Sequence, residues 1–278
     1  MNIYYVDGTY VEEDQAQIPV TDLSVLRGYG VFDFLRTYNG FPFHLTGHLN
    51  RLERSAKLIG LSLPDPVTKI KEIVLETLRR NSHEESNIRL VVTGGQSHDG
   101  ITPGNSPLLM VMVTEASRFP DAWYTEGVKV ITSHLDRHIP GAKTIHYIPA
   151  ILCQAEAHNQ GAVEAIYVDR DGFVQEGTTS NFFGFIDNKL ITPPRARVLP
   201  GITRQVVLEV AENEFEIEER LIHKDEIRLL DEAFITSSVK EVTPVRAINS
   251  VQLSDSSVGR KTRRVMELFN KYTSSYTG

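Results

Sequence analysis

Ala142-Lys143-Thr144-Ile145-His146-Tyr147 opens the segment that decides the fold, and Glu176-Gly177-Thr178-Thr179-Ser180-Asn181 closes it. Between them a helix-forming run ends at Gly161, Val163 to Tyr167 alternates as a strand does, and Asp169-Arg170-Asp171-Gly172 supplies a turn. Taken singly, Lys143 would read as a solvated surface lysine and Glu176 as a turn carboxylate. A lysine at the start of a helix, followed by a Glu-Gly turn between two strand-like runs, is a more specific arrangement.

N-terminal to this segment, Ile3-Tyr4-Tyr5-Val6, Asp7-Gly8 and Thr9-Tyr10-Val11 read as a hairpin. Arg27-Gly28-Tyr29-Gly30-Val31-Phe32-Asp33-Phe34-Leu35-Arg36 follows, and Asn39-Gly40 makes another turn. Thr46 is placed to cap a helix in which Leu49, Leu52, Ala56 and Ile59 recur at helical spacing, with Gly60 ending it. A second helix is expected over 67–80, with strands over 88–93 and 108–113 separated by a polar loop, 96–107. Pro120 marks an interdomain linker over 119–126.

On the C-terminal side, Phe182–Ile186 and Lys189–Thr192 flank the turn Asp187-Asn188. Leu199-Pro200-Gly201-Ile202-Thr203-Arg204 leads into a helix running to about residue 213. Loop glycine before a helix start is a ready anion site, because free N–H groups and the helix dipole both favour negative charge there. Glu232 to Ser237 reads as a strand reaching the hydroxyl pair Ser237-Ser238, Glu241-Val242-Thr243-Pro244-Val245 follows, and 261–272 is a final amphipathic helix. The short paired strands of this half suggest a mainly antiparallel, barrel-like sheet.

The bulk numbers narrow the function. With 278 residues the chain suits two modest domains or one large one, and 41% hydrophobic with 23% charged residues is ordinary for a soluble globular protein. A net charge of −7 argues against a nucleic-acid partner. The one cysteine, Cys153, rules out an intrachain disulfide and reads as a small buried apolar residue. No apolar run approaches the about 18 residues of a membrane span, and Met1 to Gly8 lacks the regions of a signal peptide, so a cytoplasmic location is expected.

These blocks resemble the class IV (fold-type IV) pyridoxal-phosphate enzymes, which include the branched-chain aminotransferases, the D-amino acid transaminases and aminodeoxychorismate lyase. The resemblance spans nearly the whole chain. It implies an α+β fold: an N-terminal α/β sandwich domain over 1–118, and a C-terminal pseudo-barrel β domain with helices over 127–278 that binds the cofactor. It places Lys143 at the cofactor-linked lysine, Glu176 beside the pyridine nitrogen, and Tyr147 near the cofactor hydroxyl. The chemistry wants these types: a lysine amine can bond to the cofactor aldehyde and shuttle a proton, and a carboxylate facing the ring nitrogen keeps it protonated.

His48-Leu49-Asn50-Arg51-Leu52 matches the family's His-x-x-Arg-Leu, whose arginine takes the cofactor phosphate, and a guanidinium fork suits phosphate. Ile202 and Thr203 fall at further phosphate contacts and Leu199 at the residue packing on the ring. Ser237 and Ser238 fall at phosphate-side and substrate-side positions, though serine pairs also cap turns. Phe32 falls at the substrate-side aromatic and reads equally well as a core strand residue. A homodimer is also implied.

Gln154-Ala155-Glu156-Ala157-His158 and Glu176 to Gly184 look most like the D-amino acid transaminases. Those enzymes hold the substrate carboxylate with an Arg-x-His in the loop matching Gln96 to Gly104, and this chain has Gln96-Ser97-His98-Asp99 instead. Arg27 and Arg89, each beside a segment expected near the site, are the alternative candidates, and structural ion pairing is the other reading of both. The expected function is therefore transfer of an amino group between an amino acid, D-glutamate or D-alanine favoured, and a 2-oxo acid. A branched-chain L-amino acid aminotransferase and an aminodeoxychorismate lyase are the alternatives.

Overall fold

The computed structural model describes residues 1–253 and 258–278, and the chain divides into two compact units. The first comprises 1–117, 142–146 and 276–278; the second comprises 118–141 and 147–275. This division differs from the one expected at 118 and 127, because the lysine segment belongs to the first unit. Its backbone explains why: Val31 bridges to Thr144, and the Phe32 N–H donates to the Lys143 carbonyl at 2.9 Å.

The first unit is built on the sheet β2-β1-β6-β5-β3-β4. Its strands are β1 (Ile3–Val6), β2 (Thr9–Glu12), β3 (Gly30–Tyr38), β4 (Phe41–Pro42), β5 (Ser86–Thr93) and β6 (Leu109–Glu115), all paired antiparallel. The β1–β2 turn forms as expected: Asp7 and Gly8 have φ of 40° and 96°, the left-handed pair that a two-residue hairpin needs. The α-helices of this unit are α1 (Leu23–Arg27), α2 (Leu45–Leu58) and α3 (Val67–Arg79). Leu49, Leu52 and Ala56 of α2 and Ile70, Ile73 and Val74 of α3 join Val31, Leu35, Ile88, Leu90, Val111 and Val113 in one core. Thr46 is not the cap of α2; His44 holds that place in a left-handed conformation, and the helix is already under way at Leu45.

The second unit contains a ten-stranded sheet in the order β12-β11-β10-β14-β15-β7-β8-β9-β13, with β16 off that path on β15. In chain order the elements are α4 (Ala122–Thr125), β7 (Val128–His134), α5 (Ile148–Asn159), β8 (Glu164–Val168), β9 (Phe173–Gly177), β10 (Asn181–Ile186) and β11 (Lys189–Thr192). Then come α6 (Ile202–Ala211), β12 (Glu216–Glu219), β13 (Ile222–His223), β14 (Glu232–Ser237), β15 (Glu241–Ile248), β16 (Val251–Gln252) and α7 (Arg260–Ser274). The sheet is more mixed than the sequence suggested: β7 runs parallel to both β8 and β15, and β12 parallel to β11. A parallel pair needs a long crossover, and the β7–β8 connection is the one that contains both Lys143 and α5. Phe183 stacks on Phe234 with centroids 4.8 Å apart, and Phe182, Ile166, Val130 and Ile235 fill the core.

Candidate active site

In the first unit, Lys143 is fixed by its main chain. Its carbonyl accepts from Phe32, its N–H donates to the buried Ser55 Oγ at 3.1 Å, and two residues on Ile145 donates to the Gly30 carbonyl. Gly30 has to be glycine at this crossing: a Cβ would press on the Val92 carbonyl and the Ile145 side chain. The lysine side chain lies with Nζ 4.7 Å from the centre of the Phe32 ring. Phe32 is buried, at 8% exposure. The Arg89 guanidinium lies 5.4 Å from the same ring and 4.8 Å from Phe34, its cross-strand partner. The structure thus brings Phe32, Arg89 and Lys143 together. Arg27 sits elsewhere in this unit, exposed at the end of α1, donating to the Leu26 carbonyl and lying beside Gly100 of the polar loop.

Arg51 is buried on the face of α2 that also carries His48 and Ser55. Its Nε donates to Asp33 Oδ2 at 2.9 Å and its Nη2 to Asp33 Oδ1 at 2.7 Å, while His48 Nδ1 meets the same Oδ1 at 2.6 Å. Burial pushes the Asp33 carboxyl up, but Arg51 and His48 together hold it well below the carboxylate range. Burial pushes His48 down, outweighing the pull of Asp33, so the ring is neutral and the cluster balances one negative against one positive charge.

In the second unit, Glu176 lies near the end of β9 at 4% exposure with both oxygens engaged. Oε1 accepts from Arg137 Nη1 at 2.5 Å; Oε2 accepts from the Leu199 N–H at 3.0 Å and from Asn181 Nδ2 at 3.4 Å. Asn181 also donates to the Leu199 carbonyl at 2.9 Å, tying the Glu176 strand to the loop that starts α6. Gly201 caps that helix without a side-chain hydrogen bond, and a Cβ there would collide with Asn181 Oδ1. Ile202 and Thr203 are therefore the first residues of a helix whose end is served by backbone alone, the arrangement that accommodates an anion. Tyr147 caps α5 and is half-buried, as are Leu199, Ser237 and Ser238. Ser237 Oγ accepts from the Lys240 N–H, so this hydroxyl does serve the turn.

Sequence reasoning missed Arg137, Asn181 and a buried ion pair behind the turns. Lys240 Nζ donates to Glu164 Oε2 at 2.6 Å and to Thr179 Oγ1 at 2.7 Å, and Glu164 Oε1 accepts from the Thr179 N–H and the Thr178 hydroxyl. This knot joins β8, the turn after Glu176 and the turn after Ser238. Glu164 carries the one signal that was available, a carboxylate opening an otherwise apolar strand.

The chain belongs to the class IV aminotransferases: it matches the family described as amino-transferase class IV over residues 30–248. It is 34% identical over 275 residues to a putative branched-chain-amino-acid aminotransferase of Methanocaldococcus jannaschii, covering 95% of this chain and 94% of that one. It is 29% identical over 283 residues to a D-alanine aminotransferase of Staphylococcus epidermidis, covering 100% of both. Among solved structures, the Escherichia coli branched-chain amino acid aminotransferase superposes with a TM-score of 0.93 at 25% identity, over 100% of this chain and 96% of that one. Another branched-chain amino acid aminotransferase, solved with pyridoxamine 5'-phosphate, superposes with a TM-score of 0.91 at 27% identity, over 98% and 94%.

Membership makes this protein a pyridoxal-phosphate-dependent aminotransferase of fold type IV. Each unit presents groups of the kind that cofactor uses: an amine and a buried guanidinium in the first, a buried carboxylate and an open helix N-terminus in the second. Among the described residues no helix is long and apolar enough to cross a membrane.

Proposed function

We propose that the protein transfers an amino group from a D-amino acid, D-glutamate or D-alanine in the first instance, to a 2-oxo acid in the cytoplasm, acting as a two-fold homodimer. The observation that carries the substrate reading is Arg89, a cation beside the Phe32 ring over which Lys143 lies. An arginine there suits a substrate carboxylate; Arg27, the other candidate, lies apart from it at the end of α1, beside the loop that lacks the Arg-x-His. The D-alanine aminotransferases among the relatives support this reading.

Bound pyridoxal phosphate supplies an aldehyde and a ring that spreads the charge left when the substrate α-proton departs. Lys143 Nζ would be the amine that holds the cofactor through its aldehyde, and would serve as the base that moves the proton of the substrate α-carbon. Glu176 holds a proton at the ring nitrogen, and Arg137 and the Leu199 N–H keep its carboxylate in place. In the first unit Arg51 would serve the phosphate and Phe32 the substrate side; in the second, Ile202, Thr203 and Ser237 would serve the phosphate, Tyr147 the ring hydroxyl, Leu199 the ring face and Ser238 the substrate side.

A second reading, a branched-chain L-amino acid aminotransferase, is favoured by the 34% identical relative and by Tyr147. A panel of D- and L-amino acids, each tested with 2-oxoglutarate and pyruvate as acceptors, separates the two. Turnover of L-leucine or L-valine with every D-amino acid inert would replace the D-reading. Sedimentation at assay concentration tests the dimer, which an active monomer would overturn.

A further inference from the structure

A buried guanidinium is stable only with a counter-charge, because taking an unpaired cation out of water costs several kcal/mol. If Arg51 served a phosphate alone, the protein's folding would depend on that phosphate. The chain instead supplies its own partner: Asp33, at 0% exposure, takes the Nε and Nη2 edge of Arg51, and His48 donates to the same carboxylate. A carboxylate so placed opposes a phosphate electrostatically, since like charges repel through the shared guanidinium. An arrangement that weakens the grip on the anion has a use: it keeps the arginine folded in place whether or not the anion is bound.

We infer that Asp33 is a positioning residue, the internal counter-charge that lets Arg51 stay buried and oriented without phosphate, and that it makes folding independent of the cofactor. The inference rests on the proposed phosphate role of Arg51.

The test measures the thermal midpoint of the cofactor-stripped protein and its rise on adding pyridoxal phosphate, inorganic phosphate or pyridoxal. Asp33→Asn should lower the stripped midpoint by roughly 10 °C. It should also recover more of that loss with pyridoxal phosphate or inorganic phosphate than the unaltered protein gains, and no more with pyridoxal. Equal loss with and without phosphate would overturn the proposal and make Asp33 an ordinary core residue. Asp33→Asn/Arg51→Gln removes both charges and should regain stability over Asp33→Asn. If the single variant does not fold, this double variant decides: it should be soluble and show no added benefit from phosphate, and an insoluble double variant overturns the proposal. Arg51→Gln alone separates the two ideas: if it keeps the full advantage of pyridoxal phosphate over pyridoxal, the phosphate reading of Arg51 fails, while the charge balance is still judged by the double variant.

Discussion

Lys143 and Glu176 are held in opposite ways. Lys143 is anchored through its backbone, by Phe32, Ser55 and the Ile145–Gly30 bond, and its side chain rests on the face of an aromatic ring. Glu176 is gripped at its carboxylate oxygens by Arg137, the Leu199 N–H and Asn181. The difference matches the roles proposed for the two groups. An amine that shuttles a proton needs a fixed root and a mobile tip, whereas a carboxylate that holds a proton at one atom needs its oxygens immobile.

The strongest way to break this contrast is Lys143→Ala, which should cut transamination by about four to six orders of magnitude, the loss seen when the central reacting group is removed. The rate is read in a coupled 2-oxo acid assay; a loss under about tenfold would take Lys143 out of the chemistry. Glu164→Gln probes the grip on the second side. It leaves the Lys240 ammonium, 7% exposed, without its charge partner, so the protein should lose about 3–5 kcal/mol in urea unfolding. Unchanged stability would mean that the buried pair does not brace the turns.

Glu176→Gln comes next. It keeps the shape but cannot hold the ring proton, so turnover should fall by about 10²–10³ while the cofactor stays bound, as its absorbance would report. Full activity would remove Glu176 from the site. Arg89→Ala is smaller: it should weaken substrate binding by about 1.5–3 kcal/mol, the worth of a charged hydrogen bond, without loss of cofactor. An unchanged KM for every amino acid would leave Arg89 as a strand residue stacked on Phe32 and Phe34.

The smallest effect separates the two units by pH. The folded His48 binds protons more weakly than an ordinary histidine of 6.5, so below about that pH the unfolded chain takes up a proton the folded one refuses, and stability falls with pH. Asp33 and Glu164 are held below their ordinary 3.8 and 4.5, so their contribution is present above those values and is lost only as pH falls through and below them. His48→Gln should therefore remove a slope of up to about 1.4 kcal/mol per pH unit that sets in below roughly pH 6.5, and leave the loss due to Asp33 and Glu164 in place. Hydrogen exchange of β3 and β8 would read the two units separately; an unaltered slope in the variant would mean that His48 titrates as a solvated ring.

Local signals made much of this legible. The hairpin turns were written in Asp7-Gly8 and Asn39-Gly40, because few other pairs accept two left-handed residues. The helices over 45–58 and 67–79 were written in their apolar spacing. Other features had no local signal. β12 reads Glu-Ile-Glu-Glu and β13 has two residues, so neither carries a period, and both are strands only because β11 and β9 offer partners.

The sequence by itself determined most of the elements, because helix period and turn chemistry are encoded within short stretches, and through its resemblance to the class IV enzymes it determined the reaction class and the residue types that could perform it. Only the tertiary structure decided that Lys143 packs with the first unit, that Arg137 holds Glu176, and that Asp33 neutralises Arg51. Asp33 and Arg51 stand 18 positions apart, Arg137 and Glu176 39, and Lys143 and Ser55 88, so no local pattern records these pairings. Burial sets their strength: a charge that would be indifferent on the surface must find its partner once water is excluded.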